Sequence, residues 1–301
     1  MIYNPFAGKF NRNRGQLLQR TIDTLKDHGH SITALPTTGP RSASLIARDC
    51  IAKGADVIIA AGGDGTINEV TNGMARSPVP LAIIPAGTAN VLAVELGLGT
   101  NLSRAAAMLR DCVPACISLG RLDKPDQQRY FVLMAGAGLD AMIVYNIDAK
   151  LKATLGKVAY WVGGFSQIGR PLPEFDVTTN GTTIRCSFAL ASRVRNYGGD
   201  LWIARGASLF SNHFEVVLFQ GAHSIPYVKY LIGVVSGKLA GMSGVSVLQV
   251  QELLIESPNG PGIYIQIDGE FVGALPARLQ IVPAALTLLV PPAFYNKHAN
   301  G

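Results

Sequence analysis

An apolar run at 57–61, Val-Ile-Ile-Ala-Ala, leads directly into Gly62-Gly63-Asp64-Gly65-Thr66 and then into a segment of helical character. A strand, a glycine turn and a helix in immediate succession constrain the fold more than any other feature. They belong to a parallel sheet whose connecting helices return across its faces. Glycines 62, 63 and 65 let the backbone take positive φ and approach a ligand closely. A helix starting there aims N–H groups and the positive end of its dipole at the turn, which suits a phosphate. Asp64 adds a carboxylate, and a carboxylate beside phosphates implies a divalent cation. These residues predict a metal-complexed nucleoside phosphate as ligand. The turn is not a Walker A loop, because no Gly-Lys-Ser/Thr follows it.

The flanking sequence repeats the same unit. Met1–Tyr3 ends a strand, helices are predicted over about 14–28, 42–53, 66–75, 89–96 and 102–110, and strands over 31–36, 56–60 and 80–84. Such alternation predicts a doubly wound parallel α/β domain. Ligands on these sheets bind beyond the carboxyl ends of the strands, so Pro85-Ala86-Gly87-Thr88-Ala89-Asn90 should line one cleft with the glycine turn. The first strand has three residues before Asn4, which predicts a clipped strand or a start further upstream.

From about residue 115 the texture changes. Segments 129–135, 174–179, 183–192, 213–219, 245–256, 262–267, 277–282 and 286–290 carry β-branched or alternating apolar residues. Turns such as Asn180-Gly181 and Asn259-Gly260 separate them. They predict a C-terminal antiparallel β-sandwich with mostly helical insertions at about 140–168 and 223–240. The length of 301 residues and 48% hydrophobic content suffice for two cores.

A net charge of +6 tolerates anionic partners, but no Lys/Arg cluster is dense enough to argue for nucleic acid. Cys112 and Cys116 are four apart, yet no second Cys or His pair completes a zinc site, so Cys50, Cys112, Cys116 and Cys186 read as reduced thiols of a cytoplasmic protein. No secretory leader is expected, since Lys9, Arg12 and Arg14 follow a short apolar stretch. The most apolar window, 225–242, is interrupted by Lys229, Lys238 and glycines 233, 237 and 241, which argues against a spanning helix.

Four motifs stand in order along the chain: Asn4-Pro5-Phe6-Ala7-Gly8, the extended run from Gly62 through Asn68-Glu69 to Asn72-Gly73, Pro85 to Asn90, and Asp268-Gly269-Glu270. Together they resemble the diacylglycerol kinase catalytic-domain family, which includes bacterial lipid kinases and sphingosine and ceramide kinases. The resemblance covers nearly the whole chain. It implies an ATP-dependent kinase of a lipid hydroxyl, with a nucleotide domain over 1–118 and a lipid domain over 119–286. The last residues, from about 287 to 301, would return to the first domain.

On the same resemblance, Asn4 and the backbone of Gly62, Gly63, Asp64, Gly65 and Thr66 would hold the ATP phosphates. Thr37 matches a threonine near the nucleotide, and Gly87, Thr88 and Asn90 would close the other wall. Asp268 and Glu270 match an acidic pair contributed by the second domain. A lipid hydroxyl needs a base in line with the γ-phosphorus. Phosphoryl transfer also rests on positioning and charge neutralisation, so Mg²⁺ is implied. The assignment is Asp268 as general base, with Asp64 and Glu270 organising Mg²⁺ directly or through water. The family analogy leaves room for Asp64 as the base instead. Taken alone, Asp-Gly-Glu would read as a surface hairpin turn.

Several positions depart from the family pattern. Val91 and Ser118 stand where relatives often carry aspartates of an acidic network, and Glu95, one turn beyond Val91, is a candidate replacement. Asn212-His213 stands for a family Asp-Gly, so a second, structural metal site is not expected there. Gly136-Ala137-Gly138-Leu139-Asp140-Ala141 fits a dinucleotide fingerprint, but no strand ending in an acid follows about 20 residues later. Apolar residues around Met142, Trp161, Phe165, Tyr227, Tyr230 and Ile232 read first as core. With Lys150, Lys152 and Lys157 beside them they also suit docking of a lipid kinase on an anionic membrane. The expected partners are ATP and a membrane-resident lipid, and a homodimer is compatible with the sequence. The rival readings are a non-catalytic nucleotide- and lipid-binding regulator and an NAD kinase, which shares the glycine turn but not the other motifs.

Overall fold

Strands buried at every position belong in the middle of a layered sheet. β3 (Ile58–Gly62) and β4 (Leu81–Pro85) are of this kind. In the computed structural model, which describes residues 1–12, 15–146, 171–197, 201–224, 226–257 and 262–298, they pair in parallel, Ile58 opposite Leu81 and Gly62 opposite Pro85. β1 (Ile2–Tyr3) pairs in parallel with both β3 and β2 (Leu35–Pro36). The last strand, β18 (Ala277–Val290), joins β4 in parallel at Leu288 opposite Leu81. This sheet lies in the first of two compact units, formed by Met1–Leu119 and Pro283–Gly301.

Alternation along the strands explains why both faces are covered. Ile59, Ala61, Ala82 and Ile84 share a cluster with Leu25 of α2 (Gln16–Asp27) and with Leu102 and Ala106 of α6 (Leu102–Met108). The opposite parity, Ile58, Ala60, Leu81 and Ile83, is equally buried. α3 (Ser42–Ala52) packs on α4 (Asp64–Met74), and α4 packs on β3 and β4. α1 (Gly8–Arg12) and α5 (Val91–Glu95) are single turns that follow β1 and β4. The α/β expectation holds, with two shifts. α4 starts at Asp64, two residues earlier than the pattern suggests, and β2 is shorter than 31–36.

The second unit, Gly120–Val282, contains two antiparallel layers. One has the order β14-β13-β10-β7-β16-β17: Val245–Val250, Phe214–Phe219, Phe188–Ser192, Met134–Gly138, Tyr264–Ile267 and Glu270–Ala274. The other joins the first part of β18 to β15 (Glu252–Glu256), β8 (Phe175–Thr179) and β9 (Thr182–Cys186), with β5 (Val113–Lys124) and β6 (Gln127–Phe131) paired beside them. Phe131, Phe175, Phe214, Ile265, Ile267 and Leu279 fill one core between these layers.

Three segments predicted as single strands, 129–135, 183–192 and 245–256, are each two. Breaks at 132–133, at Ser187 and at Gln251 send the second half into the other layer. The apolar alternation does not show the break, because both halves face the same core. Ser187 meets the backbone demand of its corner: its N–H donates to Phe219 O at 2.9 Å and its Oγ to Gly221 O at 2.6 Å. Conversely, the segments 277–282 and 286–290 form the one strand β18, which passes through Ala284 at φ 50°.

Of the two helical insertions, α7 (Leu139–Asn146) and α8 (Pro226–Ser236) are described, and the chain closes with α9 (Pro292–His298). Lys150, Lys152, Lys157, Trp161, Phe165 and the turn Asn259-Gly260 lie outside the described residues. No described helix is long and apolar enough to cross a membrane.

Candidate functional site

In the first unit, the loops that follow β1, β3 and β4 meet one another. Asn4 N–H donates to Ala61 O at 3.0 Å and Lys9 N–H to Ala86 O at 3.2 Å, tying the first loop to the other two. Asn4 Oδ1 accepts the Phe6 N–H at 2.9 Å in a local turn, and its Nδ2 donates to Thr66 Oγ1 at 3.4 Å. Gly62 O accepts the N–H groups of Ala86 and Gly87 at 2.9 and 3.2 Å. A Cβ on Gly87 would stand 2.4 Å from Gly63 Cα, and one on Gly62 would stand 2.5 Å from Thr66 Cβ. The backbones of the two glycine loops are therefore in contact. None of Gly62, Gly63 and Gly65 has positive φ, so the expectation of left-handed backbone is corrected: Gly62 and Gly63 are needed for closeness.

Side chains hold this junction rigid. Asn90 is fully buried at φ 50°, where its Oδ1 accepts the Gly87 N–H at 2.9 Å and its Nδ2 donates to Gly87 O at 2.8 Å. Thr88 is exposed at the rim, with Gly8 beside it. Asp64 opens α4, and its Oδ1 accepts the Leu92 N–H at 3.5 Å. The first helical bond of α4 is Ile67 N–H to Gly63 O, so the N–H groups before it fall outside the helical ladder, at the end where the loops meet.

The second half of the glycine motif is scaffold. Both Glu69 oxygens accept N–H groups at the start of α3, from Arg41 at 2.9 Å and Ala43 at 3.2 Å. A Cβ on Gly73 would lie 2.4 Å from Ser44 O, so glycine lets α3 and α4 touch. Together they fix the segment after β2, where Thr37 N–H donates to Tyr3 O at 2.8 Å. Lys9 is a residue that motif reading passed over. Its Nζ donates to Pro85 O at 3.2 Å and also to Thr100 O, and burial lowers its pKa. Its place directly after Asn4–Gly8 was the available signal.

In the second unit, Asp268 and Gly269 are the two loop residues of the β16–β17 hairpin, both at positive φ, 48° and 79°. The hairpin reading of Asp-Gly-Glu is thus correct locally, but Asp268 turns inward and is only 7% exposed. Its Oδ2 accepts the Val132 N–H at 2.9 Å, and its Oδ1 accepts those of Leu133 and Met134 at 2.9 and 3.0 Å. These donors sit at the corner between β6 and β7. Glu270 Oε2 is paired with Arg129 at 2.8 Å.

The Asp268 turn has a second support. Gly269 N–H donates to Gln266 Oε1 at 2.8 Å, and Gln266 Nε2 donates to Asp140 Oδ2 at 2.7 Å, while Tyr197 hydroxyl donates to Asp140 Oδ1. A Cβ on Gly136 would collide with the Asp140 carboxylate, and one on Gly138 would lie 2.5 Å from the Phe175 ring. The glycines of the dinucleotide-like run therefore make room for packing. Burial raises the pKa of Asp140 against the opposing effect of its two hydrogen bonds. A raised folded-state pKa favours the fold fully only below the unfolded value of about 4, and the benefit fades as pH rises through the folded value. Asp140→Asn should therefore flatten the pH dependence of this unit's stability above about pH 4, where wild type loses stability through this group as pH rises. Urea titrations across that range measure the slope, and an unchanged slope in the variant would refute the assignment.

Val91, Glu95 and Ser118 are buried, whereas Asn212 is exposed. Val91 opens α5, Glu95 closes it, and Ser118 lies in β5. Beside Asn212 the backbone is held by a buried arginine. Arg193, 0% exposed, donates through Nη1 to Ser211 O and His213 O at 2.7 and 2.8 Å and through Nη2 to Leu209 O at 2.6 Å. Burial draws its pKa down to about 10, which leaves it charged at neutral pH. Among the described residues no three His, Cys, Asp or Glu side chains gather into a metal-holding group. The single carboxylate of Asp64 suits Mg²⁺, which keeps waters and takes one or two carboxylates along with phosphate oxygens.

Known proteins resemble this chain over both units. The model of the diacylglycerol kinase catalytic domain matches residues 1–122, and that of the YegS C-terminal NAD kinase beta sandwich-like domain matches 134–290. Similar proteins include a diacylglycerol kinase of Mycobacterium tuberculosis, 29% identical over 90% of this chain and 88% of its own. Another from Bacillus subtilis is 27% identical over 92% and 91%. A crystal structure of a diacylglycerol kinase from Bacillus anthracis superposes with a TM-score of 0.78 at 22% identity, covering 97% of this chain and 96% of that one. The catalytic-domain match and these relatives indicate a lipid-kinase type of phosphotransferase. The chain belongs to the diacylglycerol kinase catalytic-domain family.

Proposed function

We propose that the protein transfers the γ-phosphate of ATP to a hydroxyl of diacylglycerol or a related lipid, with Mg²⁺, at the cytoplasmic surface of a membrane. The observation that carries this reading is the backbone contact of Gly63 with Gly87 beside the start of α4. No side chain intervenes there, so phosphate oxygens can reach backbone N–H groups. Asn4, Thr37, Thr88 and Asn90 border or brace these loops. Mg²⁺, when bound, supplies charge neutralisation for the phosphates. Asp64 and Glu270 are assigned to organise it, directly or through water. Asp268 is assigned as the base that takes the proton of the acceptor hydroxyl, its carboxylate oriented by three N–H donors.

The test is transfer of label from γ-labelled ATP, with Mg²⁺, to detergent-dispersed diacylglycerol and sphingoid lipids, with NAD in parallel. Label is expected in a lipid. Label in NAD alone would overturn the acceptor class, and binding of ATP and lipid without any transfer would favour a non-catalytic binding protein.

A further inference from the structure

We propose that one face of the second unit, built by α8, β12 (Leu201–Trp202) and the loop after β12, docks the protein on an anionic lipid surface. The proposal rests on the lipid-kinase reading for its purpose but on separate residues. α8 buries Tyr230 and Val234 and turns its other side outward. There Ile232 is 64% and Val235 68% exposed, one turn apart, with Lys229 exposed one turn before them and Lys238 just past the helix end. β12 packs on α8 and presents Trp202, 47% exposed. The guanidinium groups of Arg195 and Arg205 lie 5.4 and 6.0 Å from the Trp202 ring centroid. Arg205 also reaches the end of α8, where a Cβ on Gly237 would stand 2.5 Å from it. Tryptophan, branched aliphatics and cations are thereby contiguous.

Charge selects the occupant. Residues 201–214 and 216–251 contain no Asp or Glu, and the intervening Glu215 is buried and accepts the Gly206 N–H. A second copy of the same face would set cations against cations. Anionic headgroups satisfy them, while the acyl boundary accepts Trp202, Ile232 and Val235. Lys and Arg beside such a surface each strengthen binding about fivefold.

The test is co-sedimentation of the full chain with phosphatidylglycerol–phosphatidylcholine vesicles and with phosphatidylcholine vesicles. Wild type should bind the first at least tenfold more tightly and release in high salt. Lys229→Glu with Lys238→Glu, and separately Ile232→Asp with Val235→Asp, should each weaken binding at least tenfold while keeping the wild-type melting temperature, since all four side chains are exposed. Equal binding to both vesicles, or variants that bind as wild type does, would overturn the proposal. Kinase assays in neutral detergent micelles keep this separate from the activity: the variants should retain the wild-type rate there. Absence of transfer in micelles with vesicle binding as stated would remove the kinase reading and leave the docking face standing.

Discussion

Asp268→Asn should lower kcat by a factor of about 10²–10⁴, the usual worth of a positioned base, and should also destabilise the second unit. The second effect follows from the geometry. Both carboxylate oxygens accept backbone N–H groups, from Val132 on one side and from Leu133 and Met134 on the other. An amide must turn its NH₂ toward one of these donors, at a cost of about 1–3 kcal/mol. Loss of activity in this variant is therefore informative only beside a second change. Gln266→Met removes the bond to Gly269 N–H and leaves the carboxylate in place. It should lower stability by a similar amount and keep transfer within about tenfold of wild type. If it abolishes transfer as fully as Asp268→Asn does, turn geometry and not the acid carries the effect.

Arg193→Met should be the most destabilising single substitution in the second unit, at about 3–5 kcal/mol. It strands the carbonyls of Leu209, Ser211 and His213 and removes the guanidinium that gathers them. Calorimetry should show the transition of this unit falling by roughly 10 °C or more. Because the cation of this loop is a side chain, chelator should leave the wild-type midpoint unchanged when no nucleotide is present. A midpoint that drops with chelator, or a Met variant within about 1 kcal/mol of wild type, would contradict this account. Arg193 N–H also donates to Leu133 O at 2.8 Å, so this loop and the donors of Asp268 share a backbone support.

The layered α/β architecture was legible because two signals coincide at β3 and β4: continuous apolar strands, and glycine turns that admit little else. The antiparallel second unit was legible as a class for the same reason, from its alternating segments. What stayed hidden was where those segments turn a corner. Gln251 carries no turn chemistry, and a lone Ser187 without a neighbouring glycine or proline does not mark a corner, so only the tertiary pairing reveals the breaks. The roles within motifs were hidden for a related reason. Glu69 and Gly73 stand in one run with Asp64, yet they serve α3 and its packing, since a linear motif records proximity to a helix start and not direction. The inward turn of Asp268 and the burial of Arg193 depend on residues more than a hundred and about twenty positions away, respectively, beyond any local pattern.

The pairing of β18 with β4 has a consequence during synthesis. β4 places Leu81, Ala82, Ile83 and Ile84 in the sheet of the first unit, and its partner on one side, Leu288, is made roughly two hundred residues later. At about 5–20 residues per second, a ribosome needs on the order of 10–40 s to supply it. For that interval the first unit carries an apolar, unpaired strand edge, the kind that recruits other chains. A chain cut after Val282 would keep every nucleotide-loop motif and still expose that edge permanently. Such a fragment should gather into aggregates before it could serve as a smaller independent domain.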